Sequence, residues 1–255
     1  MAEPLFRGVG VALATLFTDD GEVDAKATAD FAANLVDLGI RAVVVAGSTG
    51  EAAALTAEER VTLLTETRRA VPAGVPVIAG TGGPSARQAA ALTGDAGEAG
   101  ADAVLALCPP RSNDPRPYYE AVAEAAGGLP VLAYHFPQTA PPGIPLGVLP
   151  DLPVQGMKDS SGDPDRLLNE LEVFPHPVYV GAAPMVLLAG SLGLPGAILA
   201  VANVDPEHAV AAFAGDPAAQ QALLPAHNRV KASFPLGLKD AIADRFGTSR
   251  ATRLG

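Results

Sequence analysis

The sequence is poor in cysteine and in basic residues. Cys108 is the only cysteine among 255 residues, which excludes an internal disulfide and a thiolate-rich metal site. Seventeen basic residues against 28 acidic ones give a formal net charge of -11. This charge argues against nucleic acid and anionic membrane surfaces as partners, because both are bound through clustered Lys and Arg. A small anionic substrate is not excluded, since a few local donors are enough to hold it.

Several chemical signatures are also missing. The four histidines form no HxH or HExxH pair, so no metal site is predicted. There is no Gly-x-Ser-x-Gly elbow, and the glycine-rich turns lack the spacing of Rossmann or P-loop motifs. Residues 1–4 do not resemble a secretory signal, and no apolar run is long enough to span a bilayer. We therefore expect a cytoplasmic protein without a membrane partner.

Hydrophobic residues make up 49% of the chain, and many of them fall in eight short runs. Most runs are apolar throughout, which is typical of parallel strands covered on both faces. Segments with helical spacing separate them, and successive runs lie roughly 20 to 33 residues apart, as in repeated βα units. The runs span residues 9–17, 42–47, 75–80, 103–109, 130–135, 154–159, 178–181 and 196–203.

Eight such units favour a closed (β/α)8 barrel, because an open doubly wound sheet usually has fewer strands. We predict a barrel core over residues 1–204. Residues 205–255 are expected to form the last barrel helix and a short C-terminal helical extension of the same domain. Asp24, Thr56 and Ser85 stand where helix N-caps are needed.

Lys158 is the first candidate for chemistry. It ends the sixth run, and barrel enzymes carry their chemistry at the carboxyl ends of the strands. The chain has only four lysines, and the other three fall in polar or helical segments. Desolvation lowers the pKa of a lysine and leaves its amine able to attack a carbonyl. The alternative is a structural salt bridge, with Asp159 as its partner.

Tyr134 closes the fifth run, where its phenol would face Lys158 across the barrel mouth and exchange protons. The alternative is a core tyrosine with a satisfied hydroxyl. His135 follows directly, and strand alternation points it away from Tyr134, so we expect it to pack rather than to react.

A Gly-Ser-Thr-Gly-Glu turn over residues 47–51 follows the second run. Its hydroxyl and N–H groups suit a carboxylate or a phosphate, although an ordinary strand-to-helix turn has the same composition.

Taken in order, these motifs resemble the dihydrodipicolinate synthase/N-acetylneuraminate lyase family of class I aldolases. The resemblance runs from about Gly8 to Asn203. Each motif is weak alone, but the ordered set is specific. The set comprises residues 15–17 with 20–24, the 47–51 turn, 80–82, Pro109-Pro110, Tyr134-x-x-Pro137, 156–162, and 196–198 leading to 202–203.

The resemblance implies that Lys158 is a Schiff-base lysine and that Tyr134 relays protons. The implied substrate-binding residues are Ser48, Thr49, Gly47 and Ile198, with the two hydroxyls on the keto-acid carboxylate. The iminium at Lys158 would serve as the electron sink while a bond near C3–C4 of the substrate breaks or forms. No metal and no dissociable cofactor is implied. A homo-oligomer, dimeric or tetrameric, is expected.

The sequence departs from this family in three ways. Dihydrodipicolinate synthases carry an arginine shortly after the strand-five tyrosine, whereas residues 137–140 are Pro-Gln-Thr-Ala, which disfavours that activity. A tyrosine pair usual after strand four is replaced by Arg111 and Ser112. Arg111 is a candidate anchor for a substrate carboxylate, and a solvated loop arginine is the alternative. The asparagine usual after the strand-five tyrosine is His135.

We therefore predict a lyase, either an aldolase or a dehydratase, that acts on a 2-keto acid. A 2-keto-3-deoxy sugar acid is the favoured substrate, with pyruvate as product or donor. Two alternatives stay open at this point. One is a degenerate family member that binds a keto acid without turnover. The other is a phosphate-sugar barrel enzyme with phosphate-binding turns after strands seven and eight.

Overall fold

The computed structural model describes residues 3–255 and shows a closed barrel of eight parallel strands in sequence order. β1 pairs with both β2 and β8, which closes the barrel. Each of the eight predicted runs overlaps a strand, and the predicted fold is confirmed. The strands are β1 Gly8–Ala12, β2 Ala42–Val45, β3 Val77–Gly80, β4 Ala103–Leu107, β5 Val131–His135, β6 Gly156–Asp159, β7 Val178–Val180 and β8 Gly196–Leu199.

The predicted ends of the first and eighth runs were wrong. β1 ends at Ala12 and β8 at Leu199, although the apolar residues continue after both strands. After β1, the side chain of Asn203 replaces a neighbouring strand as the hydrogen-bond partner of the backbone. Its Oδ1 accepts from Ala14 N at 3.0 Å and its Nδ2 donates to Ala12 O at 2.7 Å. These residues are buried without being part of the sheet, so hydrophobicity alone extends the strands too far.

The three predicted N-caps are confirmed. The side chains of Asp24, Thr56 and Ser85 accept hydrogen bonds from backbone N–H groups in the first turns of their helices, which satisfies donors that otherwise lack partners. The helices are α1 Ala25–Asp37, α2 Ala57–Ala70, α3 Ala86–Glu98, α4 Arg116–Ala126, α5 Pro164–Val173, α6 Val186–Ser191, α7 Pro206–Phe213, α8 Pro217–Ala222, α9 Leu224–Ala232 and α10 Leu236–Phe246. No helix within residues 3–255 is both long and apolar enough to cross a bilayer.

Alternation along the strands divides the core into two layers. One layer fills the barrel with side chains such as Val44, Ile78, Leu132 and Tyr134. The other lies between the strands and the surrounding helices. Buried parallel strands with helices on their outer face therefore explain why the runs are apolar throughout.

Candidate active site

Lys158 lies on β6 with its side chain directed into the barrel. It stands in register with Tyr134 of β5 and Tyr179 of β7. Only 4% of the residue is exposed, and this burial lowers the pKa of its amine to about 7. A substantial fraction of the amine is therefore neutral near pH 7, which is the form that attacks a carbonyl.

The alternative of a structural salt bridge with Asp159 does not fit the geometry. Asp159 follows Lys158 on the strand and points to the opposite face. Its Oδ1 accepts from Ser161 N at 2.8 Å and its Oδ2 accepts from Ser161 Oγ at 2.9 Å. Desolvation alone accounts for the lowered pKa of Lys158, with no opposing contribution from a carboxylate. No carboxylate therefore counteracts the effect of burial on the pKa of this amine.

Tyr134 lies beside this amine, with the centre of its ring 4.3 Å from Lys158 Nζ. Ser160 Oγ donates a hydrogen bond to Tyr134 Oη at 3.3 Å. Burial raises the pKa of the phenol to about 12, while hydrogen bonds with Ser160 and Ser48 act in the opposite direction. The phenol is therefore protonated at neutral pH, and its ring lies next to the amine of the lysine. His135, as predicted, faces away, and its Nδ1 accepts from Ile144 N at 2.9 Å.

Ser48 and Thr49 follow β2 in a short 3₁₀ turn, Ser48–Gly50. The backbone is left-handed on both sides of the turn, at Ala46 (φ 52°) and Glu51 (φ 57°), a conformation that non-glycine residues rarely adopt outside functional sites. Within residues 3–255, the N–H groups of Ser48 and Thr49 meet no backbone or side-chain acceptor. Among the described residues, these two N–H groups are therefore unpaired beside the two hydroxyls, of which that of Ser48 also contacts Tyr134.

These side chains share one cavity of about 1360 Å³ at the carboxyl ends of the strands. Lys158 and Tyr134 line its floor with Ser48 and Thr49. Gly181, at the end of β7, makes room for the lysine, because a Cβ at this position would lie 2.8 Å from Lys158 Cε and would overlap Ser160 Oγ. The remaining wall is largely apolar, and its polar side chains include Gln138, Thr139, Ser161, His227 and Lys231.

Two residues of this site, Ser160 and Gly181, were not predicted from the sequence. Ser160 lies two positions after Lys158, and this spacing, which places both side chains on one face, was the available signal. Gly181 is the second, and the structure shows that its lack of a side chain matters.

Lys239 was placed in a polar or helical segment, but it is a second buried lysine. It is fully buried, and desolvation lowers its pKa to about 8. Its Nζ donates to Thr15 O and, at 3.0 Å, to Ala251 O, and it lies 3.6 Å from Glu51 Oε1. These oxygens hold the amine outside the cavity.

The other predicted site residues do not line the cavity. Gly47 supports the turn, since its carbonyl accepts from Gly50 N at 3.0 Å. Ile198 is fully buried inside the barrel, one position before Leu199, which lines the cavity. Arg111 is exposed, has a left-handed backbone (φ 63°) and does not line the cavity, although the two prolines before it do. Its role as a substrate anchor stays a prediction, to be tested with Arg111→Ala.

Comparison with known proteins agrees with this geometry. The model of the dihydrodipicolinate synthetase family matches residues 5–244. The chain belongs to this family. It is therefore an enzyme of a lyase family, and the resemblance inferred from the motifs is confirmed.

Two relatives are similar to this chain in sequence, and one solved structure is similar to it in fold. An uncharacterized DapA-like lyase of Halobacterium salinarum is 35% identical over 83% of this chain and 72% of its own length. The 4-hydroxy-tetrahydrodipicolinate synthase of Bacillus subtilis is 30% identical over 86% of this chain and 80% of its own. YagE, a prophage protein of the same family from E. coli K12, was solved in complex with pyruvate. Its structure has a TM-score of 0.89 at 28% identity and covers 98% of this chain and 92% of its own.

Proposed function

We propose that this family member is a Schiff-base lyase that acts on a 2-keto acid through Lys158. The observation that carries the proposal is a buried amine without a carboxylate partner, 4.3 Å from a phenol ring, in the cavity that also holds two hydroxyls. A lysine is otherwise costly to bury, and reaction with a carbonyl is a use for it.

The chemistry assigns one role to each group. Nζ of Lys158 adds to the C2 carbonyl, and the resulting carbinolamine loses water to give an iminium ion. Tyr134 Oη donates and accepts the protons of these steps. As the C3–C4 bond breaks, its electron pair moves to the iminium and forms an enamine, while C4 leaves as an aldehyde whose hydroxyl proton passes to Tyr134. Protonation of the enamine at C3 and addition of water to the resulting iminium then release pyruvate and the free amine of Lys158. In the reverse direction, loss of a C3 proton from the iminium gives the enamine that attacks the aldehyde. Ser48 and Thr49 hold the carboxylate with their hydroxyl and N–H groups and so fix the orientation of C2.

The favoured substrate is a 2-keto-3-deoxy sugar acid, with pyruvate as product or donor. The wall beyond Lys158 offers the amide oxygen of Gln138 and the hydroxyl of Thr139, which suit the hydroxyl groups of a sugar chain. The pyruvate complex of YagE supports pyruvate as the common portion.

We also infer a homo-oligomer, dimeric or tetrameric, which is the state that the family resemblance implies. Light scattering on the purified chain tests this inference. A mass of one chain at micromolar concentration would contradict it.

Borohydride trapping tests the role of Lys158. Incubation with pyruvate and borohydride should add one reduced adduct, which peptide mass spectrometry maps to Lys158. Lys158→Ala should lose both the adduct and the turnover of the keto acid. Lys26→Ala is the control, because Lys26 is exposed and pairs with Asp30 on α1, and it should keep both. An adduct on Lys239 would contradict the proposal, and so would the absence of an adduct with every keto acid of a panel.

A further inference from the structure

Glu51 ends the turn that carries Ser48 and Thr49, and it is completely buried. Its Oε2 accepts two backbone hydrogen bonds, from Arg253 N at 2.8 Å and from Leu254 N at 2.9 Å. These donors belong to residues 248–255, the C-terminal tail, which follows α10. The last residues of the chain are thus tied directly to the turn that follows β2.

The side chain of Arg253 holds the tail in place a second time. Its Nε donates to Gly21 O at 2.7 Å, its Nη1 donates to Ala54 O at 3.0 Å, and its two Nη atoms bind the Glu59 carboxylate at 2.7 and 2.9 Å. A guanidinium is suited to this forked arrangement, which a lysine cannot reproduce. Arg253 therefore joins the tail to the start of α2 and to residues 13–24, the loop that follows β1 and is called the β1 loop below.

Lys239 completes the connection from inside. Its Nζ binds Thr15 O and Ala251 O, and it lies 3.6 Å from Glu51 Oε1, so the buried carboxylate faces a cation. Thr15 Oγ1 in turn donates to Gly50 O at 2.7 Å. The turn, the β1 loop, α10 and the tail are therefore joined in one network, and Leu254 of the tail extends to the cavity wall.

We propose that Glu51, Lys239 and Arg253 form a brace that positions the Ser48–Thr49 turn for the keto-acid carboxylate. The turn is left-handed on both sides, so contacts from outside it are needed to keep this backbone in place. The residues of the brace do not line the cavity and act through the turn. The inference rests on the proposed role of Ser48 and Thr49.

Arg253→Ala in the full chain tests the brace. Loss of the guanidinium releases the tail from Glu59 and Gly21, and the turn should then hold the carboxylate less accurately. We expect the Kd for pyruvate, measured by calorimetry, to rise about tenfold, because small displacements of positioning groups are costly. Arg253→Lys should recover little of this, since it keeps the charge without the fork.

Arg250→Ala is the matched control. It removes an arginine from the same tail, but this arginine is exposed and pairs with Asp240 and Asp244 rather than with the network around Glu51. Its Kd for pyruvate should equal that of the wild type. A Kd unchanged in Arg253→Ala, with or without a lower unfolding midpoint, would overturn the proposal.

A double-mutant cycle separates positioning from general stability. Ser48→Ala should blunt the effect of Arg253→Ala on the pyruvate Kd, because both changes act on the same turn. Fold-changes that simply multiply would show that the brace acts elsewhere. Calorimetry also separates the two proposals. Wild-type protein that binds pyruvate without forming an adduct would refute the role of Lys158 alone, whereas wild-type protein that binds no pyruvate would refute both.

Discussion

The two buried lysines show how neighbouring atoms decide what a residue can do. Lys158 meets no anion and has a pKa of about 7, whereas Lys239 is surrounded by oxygens and Glu51 partly restores its pKa, to about 8. The position of Lys158 at a strand end was visible in the sequence. The partners of Lys239 come from residues 15, 51 and 251, so only the folded chain brings them together.

The pH dependence of adduct formation follows from the pKa of Lys158. Burial lowers this pKa to about 7, so the amine is protonated and unreactive below that pH and neutral above it. The rate of adduct formation with pyruvate should therefore rise through about pH 7 and level off at higher pH. Trapping with cyanoborohydride across this range measures the midpoint. A midpoint near the ordinary lysine pKa of about 10.4 would contradict the burial of the reactive amine.

Tyr134→Phe removes the proposed proton donor and leaves the ring in place. We expect kcat to fall by roughly two to four powers of ten, the usual scale for general acid–base groups, with a much smaller change in pyruvate binding. Tyr119→Phe is the control, because its hydroxyl is also buried but donates to Ala106 O outside the cavity. Steady-state kinetics of both variants decide the point, and a near-wild-type rate for Tyr134→Phe would leave its hydroxyl with a packing role only.

At the scale of elements, the strands were easier to predict than their ends. A run such as 9–17 shows where a buried segment lies, because burial is what an apolar run reports. It does not show where the hydrogen-bond ladder stops, since Leu13 and Phe17 are buried beyond β1. The end of β1 depends on Asn203, about 190 residues away, and no local pattern contains this contact.

The end of β7 offers a test at the same scale. A Cβ at Gly181 would lie 2.8 Å from Lys158 Cε, so Gly181→Ala should displace the lysine and greatly reduce adduct formation. Gly94→Ala is the matched control, because the Cβ of an alanine in α3 meets nothing within 4 Å and favours the helix. Borohydride trapping and thermal unfolding of both variants give the answer. Full adduct formation in Gly181→Ala would show that the end of β7 can shift to accommodate the added Cβ without displacing Lys158.

At the scale of the whole molecule, spacing along the chain was enough to predict the barrel and the position of two central site residues. The repeat of βα units fixes which strand ends meet at the mouth, so Lys158 and Tyr134 could be placed there from the sequence. The cavity wall was not predictable in the same way. His227, Lys231 and Leu254 reach it from α9 and the tail, and their placement depends on how the C-terminal helices fold back over the barrel.

Substrate choice is a property of the whole cavity. Several relatives are 4-hydroxy-tetrahydrodipicolinate synthases, but the segment after Tyr134 presents the neutral groups of Gln138 and Thr139 instead of an arginine. An aldehyde that carries its own carboxylate would leave that charge without a bidentate partner there, and such a partner contributes roughly 1.5 to 3 kcal/mol. We therefore expect no useful condensation of pyruvate with aspartate semialdehyde, and measurable release of pyruvate from a 2-keto-3-deoxy sugar acid. A coupled pyruvate assay run with both substrates compares them directly, with Lys158→Ala as the blank for each. Efficient condensation with aspartate semialdehyde would show that another cation of the cavity wall, such as Lys231, takes the place of the missing arginine.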